Sequence, residues 1–162
     1  MKSTQTPPLD LATSAKVSKI IAENIRSGDV LGLTGELGAG KTTLVSNLAK
    51  NLGLKDGYTV SSPTYVIHHV YEAKFPIHHI DLYRLEDSSQ IENLGFEEFL
   101  GENGITIVEW FEKCPTLWTG PYLQIEITIP DELHRQYKFT IHSDSSNHWR
   151  NLLKEINLLI SS

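Results

Sequence analysis

The feature that most constrains the fold is an unbroken glycine-rich motif in the first third of the chain. Residues 35–42 read GELGAGKT and match the phosphate-binding pattern G-x-x-x-x-G-K-[ST]. The preceding segment, residues 29–35, is apolar enough for a buried strand, and residues 42–53 favour a helix that ends at Gly53. A strand that enters such a loop and a helix that leaves it predict an α/β domain that binds a phosphate group at this turn.

Each position of the motif has a physical role in binding a nucleoside triphosphate. Glycines let the backbone approach the phosphates without a Cβ clash, so that consecutive N–H groups point at the anion. Lys41 should reach the β- and γ-phosphates, the hydroxyl of Thr42 should bind Mg²⁺, and Thr43 either assists at the α-phosphate or caps the helix. The predicted nucleotide contacts in the loop are Glu36, Leu37, Gly38, Ala39, Gly40, Lys41, Thr42 and Thr43.

Two carboxylates follow β-favouring runs and are candidates for metal binding and catalysis beside Lys41. Asp81 ends the run IHHID, and Glu109 ends the run ITIVE. Because Mg²⁺ prefers oxygen ligands, one carboxylate can orient the metal and the other the attacking water, and the sequence does not decide which does which. Thr64, in the segment SSPTY, is a further candidate metal ligand if this segment is a switch that closes on the γ-phosphate. The alternative for SSPTY is a plain Ser-Pro turn.

The remaining pattern predicts a single α/β domain with a mixed central sheet flanked by helices. Residues 1–9 read as a flexible tail, and the domain occupies residues 10–162. We expect a first helix that begins near Asp10 and stops at Gly28, and an amphipathic helix from about residue 145. Between them the sequence predicts a hairpin of residues 64–72 and 75–84, a helix over 88–100 that can break near Gly95, and strands over 104–110, 122–129 and 137–143.

Four histidines occur as two adjacent pairs, His68–His69 and His78–His79, in the predicted hairpin. Side chains alternate along a strand, so the two members of each pair should point to opposite faces and cross-strand partners can meet. No thiolate joins them. We therefore expect half-exposed histidines on a sheet rather than a zinc site.

Composition narrows the possible cellular context. The net charge is −6 and the 14 Lys and Arg residues are scattered, so the chain has no basic stripe of the kind that a stand-alone nucleic-acid binder usually carries. Any contact with RNA is therefore expected through a partner. No apolar run approaches the ~20 residues that span a bilayer, and no signal peptide is visible. The single cysteine, Cys114, excludes an internal disulfide, and we expect a cytoplasmic protein without membrane association.

Several separate segments together resemble the TsaE family, formerly YjeE, of bacterial ATPases needed to make threonylcarbamoyladenosine in tRNA. The resemblance covers about residues 10–141, in matching order and spacing, and weaker strands around Arg135 also fit. The segments that carry it are LGAGKT (37–42), SPTY (62–65), HIDLYRL (79–85), LGFEEFL (94–100) and VEW (108–110).

The resemblance implies roles for individual positions. It assigns phosphate and Mg²⁺ binding to Lys41 and Thr42, a switch-like position near the metal to Thr64, and a Walker-B-like role to Asp81. It also implies that Glu109 lies at the catalytic centre. Trp110 would pack beside Glu109 and contribute to the nucleotide site. One departure concerns the next residue, since many members continue EWP whereas this chain has Phe111.

TsaE-like proteins act with the subunits TsaD and TsaB, which transfer a threonylcarbamoyl group to adenosine in tRNAs that read ANN codons. The resemblance implies a weak ATPase that binds the TsaD–TsaB dimer and supports its turnover, with tRNA contacted only indirectly. A small-molecule kinase is the main alternative, but the four arginines, 26, 84, 135 and 150, form no visible R-x-x-x-R lid. A GTPase is disfavoured because no N-K-x-D-like segment is present. A non-hydrolysing module that nucleotide orders for docking is the third alternative.

Overall fold

The computed structural model describes residues 2–61, 67–142 and 147–162. Within these ranges the strands are β1 (Lys2–Gln5), β2 (Leu9–Asp10), β3 (Val30–Thr34), β4 (His68–Tyr71), β5 (Ile77–Asp81), β6 (Ile105–Glu109), β7 (Tyr122–Asp131) and β8 (His134–His142). The helices are α1 (Leu11–Asn24), α2 (Lys41–Asn51), α3 (Ser88–Glu92) and α4 (Asn147–Ser161). Two single 3-10 turns, Phe96–Glu98 and Phe111–Lys113, complete the described elements.

All eight described strands belong to one sheet, in the order β1-β8-β7-β3-β6-β5-β4, with β2 also paired to β8. The four central strands β7, β3, β6 and β5 are parallel to one another, and β4, β8, β1 and β2 add antiparallel pairings at the two sides. The prediction of a mixed sheet flanked by helices is therefore confirmed. Because β3, β5 and β6 are parallel, their carboxyl ends meet at one edge of the sheet, where functional groups of α/β proteins commonly lie.

Two apolar cores cover the two faces of the sheet. On the first face, which we call the α2 face, side chains of α1, α2 and α4 pack against inward-pointing residues of the sheet. On the second, the opposite face, α3 and the two 3-10 turns pack against Ile80 and Val108. Gly32 in β3 lies under the ring of Phe111 on this opposite face, and a Cβ built at Gly32 would come within 2.8 Å of that ring.

Helix α1 begins where the sequence predicts and ends earlier. The carboxylate of Asp10 accepts a hydrogen bond from the backbone N–H of Thr13 at 2.7 Å, which satisfies one of the free donors of the first turn. The helix ends at Asn24, and the backbone at Ile25 is already extended, so Gly28 is not its stop signal. Asn24 also donates to Glu155 of α4 at 3.1 Å, so this end of α1 is fixed by a contact distant in sequence.

The flexible tail expected over residues 1–9 is not what the structure has. Lys2–Gln5 pairs antiparallel with β8, and Thr6 is buried and donates its backbone N–H to the carbonyl of Tyr137 at 2.8 Å. These residues lack a strong local pattern, and their strand depends on pairing with residues more than 130 positions away. The expected break near Gly95 is present, since α3 ends at Glu92 and Gly95 has a φ of 68°.

No helix in the described ranges is long and apolar enough to cross a membrane.

Candidate nucleotide site

The glycine loop joins the end of β3 to the first residue of α2. Gly40 caps α2 with a φ of 104°, a left-handed conformation that favours glycine. Gly35 has a φ of 143°, and a Cβ at this position would collide with the carbonyl oxygen of Ile127 in β7. Glycine is therefore needed at Gly40 for the loop conformation and at Gly35 for the close approach of the loop to the sheet.

Lys41 is the buried cation of the site, with 6% of its surface exposed. Its ammonium group donates to the carbonyl oxygens of Gly35 and Glu36, and it lies 4.0 Å from the centre of the Trp110 ring. Burial lowers the pKa of Lys41, although nearby carboxylates, Glu109 foremost, oppose this effect. Among the described residues its hydrogen-bond acceptors are neutral carbonyls, and a desolvated ammonium with such partners is well suited to bind an anion such as phosphate.

The two predicted carboxylates lie side by side. Asp81 and Glu109 are register partners at the ends of the parallel strands β5 and β6, so their side chains are neighbours. The hydroxyl of Thr42 donates to Glu109 Oε1 at 2.7 Å, and the backbone N–H of Tyr83 donates to Asp81 Oδ1 at 2.9 Å. Alternation along the strands points both carboxylates to the α2 face, where the glycine loop lies.

Glu109 is 1% exposed and is stabilised in its ionised form by its neighbours. Burial raises its pKa, but interactions with the side chains of His79, Asp81 and Thr42 outweigh that effect and leave the pKa below its usual value. The oxygens of Thr42, Asp81 and Glu109 form a set of hard ligands of the kind that Mg²⁺ prefers. The fourth predicted metal ligand, Thr64, lies outside the described residues.

One cavity of about 260 Å³ brings these groups together. Glu36, the remaining predicted contact, takes part through its carbonyl oxygen, which accepts from Lys41. All the other predicted site residues of the described chain line this cavity, together with Tyr83: Leu37, Gly38, Ala39, Gly40, Lys41, Thr42, Thr43, Asp81, Glu109 and Trp110.

A second cavity of about 290 Å³ shares the loop residues Gly38, Ala39, Gly40 and Thr43 with the first and extends towards α1. Sequence reasoning missed it, because its other walls come from three separate elements, α1, α2 and β8. The hydroxyl of Ser18, 1% exposed, lies on this cavity and has no hydrogen-bond partner in the described part of the chain. Arg135 at its rim donates Nε–H to the carbonyl of Ala39 at 3.0 Å, which ties the β7–β8 hairpin to the glycine loop. No local pattern in the sequence predicted this contact between Arg135 and the glycine loop.

The histidine pairs alternate between faces as predicted, and one member departs from expectation. His68 and His78 meet on the opposite face, with His68 Nε2 3.0 Å from His78 Nδ1. His79 points to the α2 face and is fully buried, so the expectation of half-exposed histidines is wrong for this residue. Its Nε2 lies 3.6 Å from Glu109 Oε1. Its position two residues before Asp81, on the same face of β5, is the signal that could have identified it.

Trp110 follows Glu109 directly and has a φ of 59°, the one positive φ among the described residues other than glycine. This conformation turns the chain away from β6, and the indole then covers Lys41 and lies 5.1 Å from the ring of Tyr83. The 3-10 turn Phe111–Lys113 follows in place of the EWP segment. The departure at Phe111 therefore leaves Trp110 in the cavity wall.

A family model and the similar proteins of known family agree on what this chain resembles. Residues 10–137 match the family model described as threonylcarbamoyl adenosine biosynthesis protein TsaE. The chain is similar to the tRNA threonylcarbamoyladenosine biosynthesis protein TsaE of Bacillus subtilis, with 38% identity over 76% of this chain and 77% of that protein. The TsaE protein of Aquifex aeolicus is 39% identical over 76% of this chain and 85% of its own length.

A solved structure with the same fold is the crystal structure of Bacillus subtilis YdiB. It superposes with a TM-score of 0.76 at 27% sequence identity, and the match covers 97% of this chain and 95% of that one.

Proposed function

Because the chain belongs to the TsaE family, which takes part in tRNA threonylcarbamoyladenosine biosynthesis, we propose that it is a Mg²⁺-dependent ATPase that supports this modification. The observation that carries the proposal is the convergence of a buried ammonium, a hydroxyl and two strand-end carboxylates on one cavity at a glycine loop. Lys41, Thr42, Asp81 and Glu109 are these groups. They are the group types that phosphoryl transfer from a nucleoside triphosphate needs.

Phosphate binding would exchange one set of Lys41 partners for another. The ammonium group now donates to the carbonyls of Gly35 and Glu36, and its hydrogen bonds to ionised phosphate oxygens would be stronger. The N–H groups of the loop and the start of α2 add a positive electrostatic field at the same place. The desolvation already imposed on Lys41 favours this exchange.

Thr42, Asp81 and Glu109 would hold Mg²⁺. The bound metal would neutralise charge on the phosphates during transfer. The Thr42 hydroxyl would offer an oxygen lone pair to the metal while its hydrogen stays donated to Glu109 Oε1, because a hydroxyl is both a donor and an acceptor. The other oxygen of Glu109 would be free to orient a water molecule for in-line attack on the γ-phosphate. We assign this role to Glu109 and the closer metal role to Asp81.

The nucleoside would lie in the second cavity. This cavity shares Gly38 and Thr43 with the first cavity but neither Asp81 nor Glu109, so a nucleoside bound here would adjoin the proposed phosphate site. The unpartnered hydroxyl of Ser18 and the side chain of Asn47 offer hydrogen bonds to a base or ribose, and Leu11 and Leu44 offer apolar contacts. The absence of a guanine-reading N-K-x-D segment favours adenine.

The partners proposed from the family are TsaD and TsaB, with tRNA contacted only through them. The net charge of −6 argues against direct binding of the tRNA backbone by this chain. Regulation of the TsaD–TsaB machine by ATP hydrolysis fits a small domain whose Lys41 is held against its own loop until nucleotide arrives.

The test is reconstitution with a matched pair of Glu→Gln variants. Wild type, Glu109→Gln and the exposed Glu102→Gln would each be combined with TsaD, TsaB, tRNA, ATP and threonylcarbamoyl-adenylate, and phosphate release and modifications per TsaD would be counted. We expect Glu109→Gln to lower hydrolysis by roughly a hundredfold or more, with a smaller effect on ATP binding, and Glu102→Gln to behave as wild type.

Two outcomes of the reconstitution would contradict parts of the proposal. Equal modification per TsaD with and without this chain would overturn its role in turnover. ATP binding without phosphate release, even with TsaD and TsaB present, would replace hydrolysis with nucleotide-ordered docking.

A further inference from the structure

A buried ring nitrogen that has no hydrogen-bond partner in the described part of the chain lies beside the candidate catalytic carboxylate. His79 has none of its surface exposed, and its Nε2 has no hydrogen-bond partner among the described residues. The nearest carboxylate oxygen, Glu109 Oε1, is 3.6 Å away, just beyond an ordinary N–H···O distance. Buried polar groups are nearly always satisfied in folded proteins, so an unsatisfied one next to a functional group requires an explanation.

The other ring nitrogen of His79 is firmly held. Its Nδ1 lies 3.0 Å from the hydroxyl of Tyr71, which is buried in the neighbouring strand β4 on the same face of the sheet. The Tyr71 oxygen accepts a hydrogen bond from the backbone N–H of Ser61 and lies 3.4 Å from His69 Nδ1. Burial, with a contribution from the charge of Glu109, raises the pKa of Tyr71, so its hydroxyl keeps its proton and can donate.

These contacts fix which nitrogen carries the proton. An Nε2 lone pair facing a carboxylate oxygen would repel it, so Nε2 must carry hydrogen. In a neutral ring Nδ1 is then an acceptor, and the Tyr71 hydroxyl is the donor that it faces. The donors then point in one direction, from the Tyr71 O–H to His79 Nδ1 and from the His79 Nε2–H towards Glu109 Oε1.

We propose that His79 is a positioning residue for Glu109, with hydrogen on Nε2 directed at the carboxylate and Nδ1 held by Tyr71. The N–H helps to keep the Glu109 carboxylate aimed into the cavity, because it faces the same oxygen, Oε1, to which Thr42 donates. A small shift of the carboxylate converts the present 3.6 Å approach into a hydrogen bond. The consequence for hydrolysis rests on the proposed function, whereas the tautomer does not.

A bland alternative is that His79 only fills space in the core. In that case either tautomer would serve, an apolar residue of similar size would leave hydrolysis unchanged, and Tyr71 would have no influence on Glu109. The hairpin offers a matched control for this alternative, because His78 occupies the adjacent position of β5 but points to the opposite face, where it contacts His68.

The first experiment is ¹⁵N NMR of the imidazole nitrogens in the complete chain without nucleotide, with His79 assigned by the signal lost in His79→Gln. We expect hydrogen on Nε2 in wild type and in Tyr71→Phe, with a changed Nδ1 chemical shift in Tyr71→Phe because that nitrogen loses its partner. A wild-type ring without hydrogen on Nε2 would overturn the inference. This readout is independent of ATPase activity, so it decides the tautomer even if the chain does not hydrolyse ATP.

The second experiment compares His79→Leu, His79→Gln and the control His78→Gln in ATP hydrolysis with TsaD and TsaB and in equilibrium ATP binding. We expect His79→Leu to lower kcat roughly 10- to 100-fold, as is typical for loss of such supporting hydrogen bonds, with the Kd for ATP within about twofold of wild type. His79→Gln, which can present an N–H near the same place, should recover part of kcat, and His78→Gln should retain it.

If His79→Leu does not fold, Tyr71→Phe provides the same comparison, with a smaller expected loss of kcat. Unchanged kcat in both His79→Leu and Tyr71→Phe, or an equal loss in His78→Gln, would overturn the positioning role. Absence of hydrolysis in the wild type would overturn the proposed function instead, and the NMR result would still stand.

Discussion

The two faces of the β4–β5 hairpin carry the same residue type in different chemical settings. On the opposite face, His68 and His78 contact each other, and the His68 ring stacks on Phe99 at 4.5 Å between centroids. On the α2 face, His79 lies between Tyr71 and Glu109. His78 thus belongs to an aromatic cluster, whereas His79, the next residue of β5, belongs to the candidate site.

This difference shows that neighbours, rather than residue type, determine what a histidine can do. Burial and the neighbouring His78 lower the pKa of His68 to about 4, so that ring is held neutral by desolvation among apolar groups. His79 instead faces a carboxylate. We therefore expect changes on the opposite face to alter the stability of the fold, and changes on the α2 face to alter nucleotide binding and hydrolysis.

The largest expected effect lies on the opposite face, at Phe111. This ring is buried against Gly32, and Phe111→Ala should lower the free energy of unfolding by about 3–5 kcal/mol, the usual cost of a cavity of this size. Urea denaturation would measure it, and ATP affinity below the melting temperature should change far less. If Phe111→Ala lowered the unfolding free energy by less than about 1 kcal/mol, or the free energy of ATP binding by more than that of unfolding, the contrast between the two faces would be contradicted.

The α2 face should respond in the reverse way at Lys41. Lys41→Ala removes the buried ammonium and should weaken ATP binding more than tenfold, in keeping with the ~1.5–3 kcal/mol of a charged hydrogen bond. Its unfolding free energy should not fall, because a desolvated charge is removed with it. Titration calorimetry and urea denaturation test both parts, with the exposed Lys19→Ala as control. Normal hydrolysis by Lys41→Ala would refute the site assignment.

A smaller effect is expected for Gly32→Ala. A Cβ at Gly32 would lie 2.8 Å from the ring of Phe111, and overpacking of this kind typically destabilises by ~1–3 kcal/mol. The double variant Gly32→Ala with Phe111→Leu should be more stable than the sum of the two single changes predicts, because the smaller side chain makes room. Simple additivity would show that the two residues do not compete for the same space.

The smallest effect is the pH dependence that His68 contributes. Its pKa is lowered from 6.5 to about 4, so the unfolded chain binds the proton first as pH falls. The stability associated with the neutral ring is present above 6.5 and is lost as pH falls towards 4. His68→Phe, which can still stack on Phe99, should reduce the slope of unfolding free energy against pH in this window. An unchanged slope of unfolding free energy against pH in His68→Phe would contradict the lowered pKa of His68.

The sequence predicted those parts of the molecule that depend on local pattern. The strand, glycine loop and helix from β3 to α2, and the two strand-end carboxylates, follow from periodicity and motif, and their convergence follows from parallel strands. The β1 strand was missed because its pairing with β8 is not local. His79 was misjudged because its burial depends on the register between β4 and β5, which periodicity alone does not give.

Trp110 gives the site a built-in optical reporter. Its indole lies 4.0 Å from the Lys41 ammonium, so nucleotide that draws the ammonium away would change the electric field at the ring and shift its fluorescence emission. Trp149, an α4 residue buried in the core, should contribute a constant fluorescence background. Stopped-flow fluorescence of the unlabelled chain would therefore time the arrival of the phosphates.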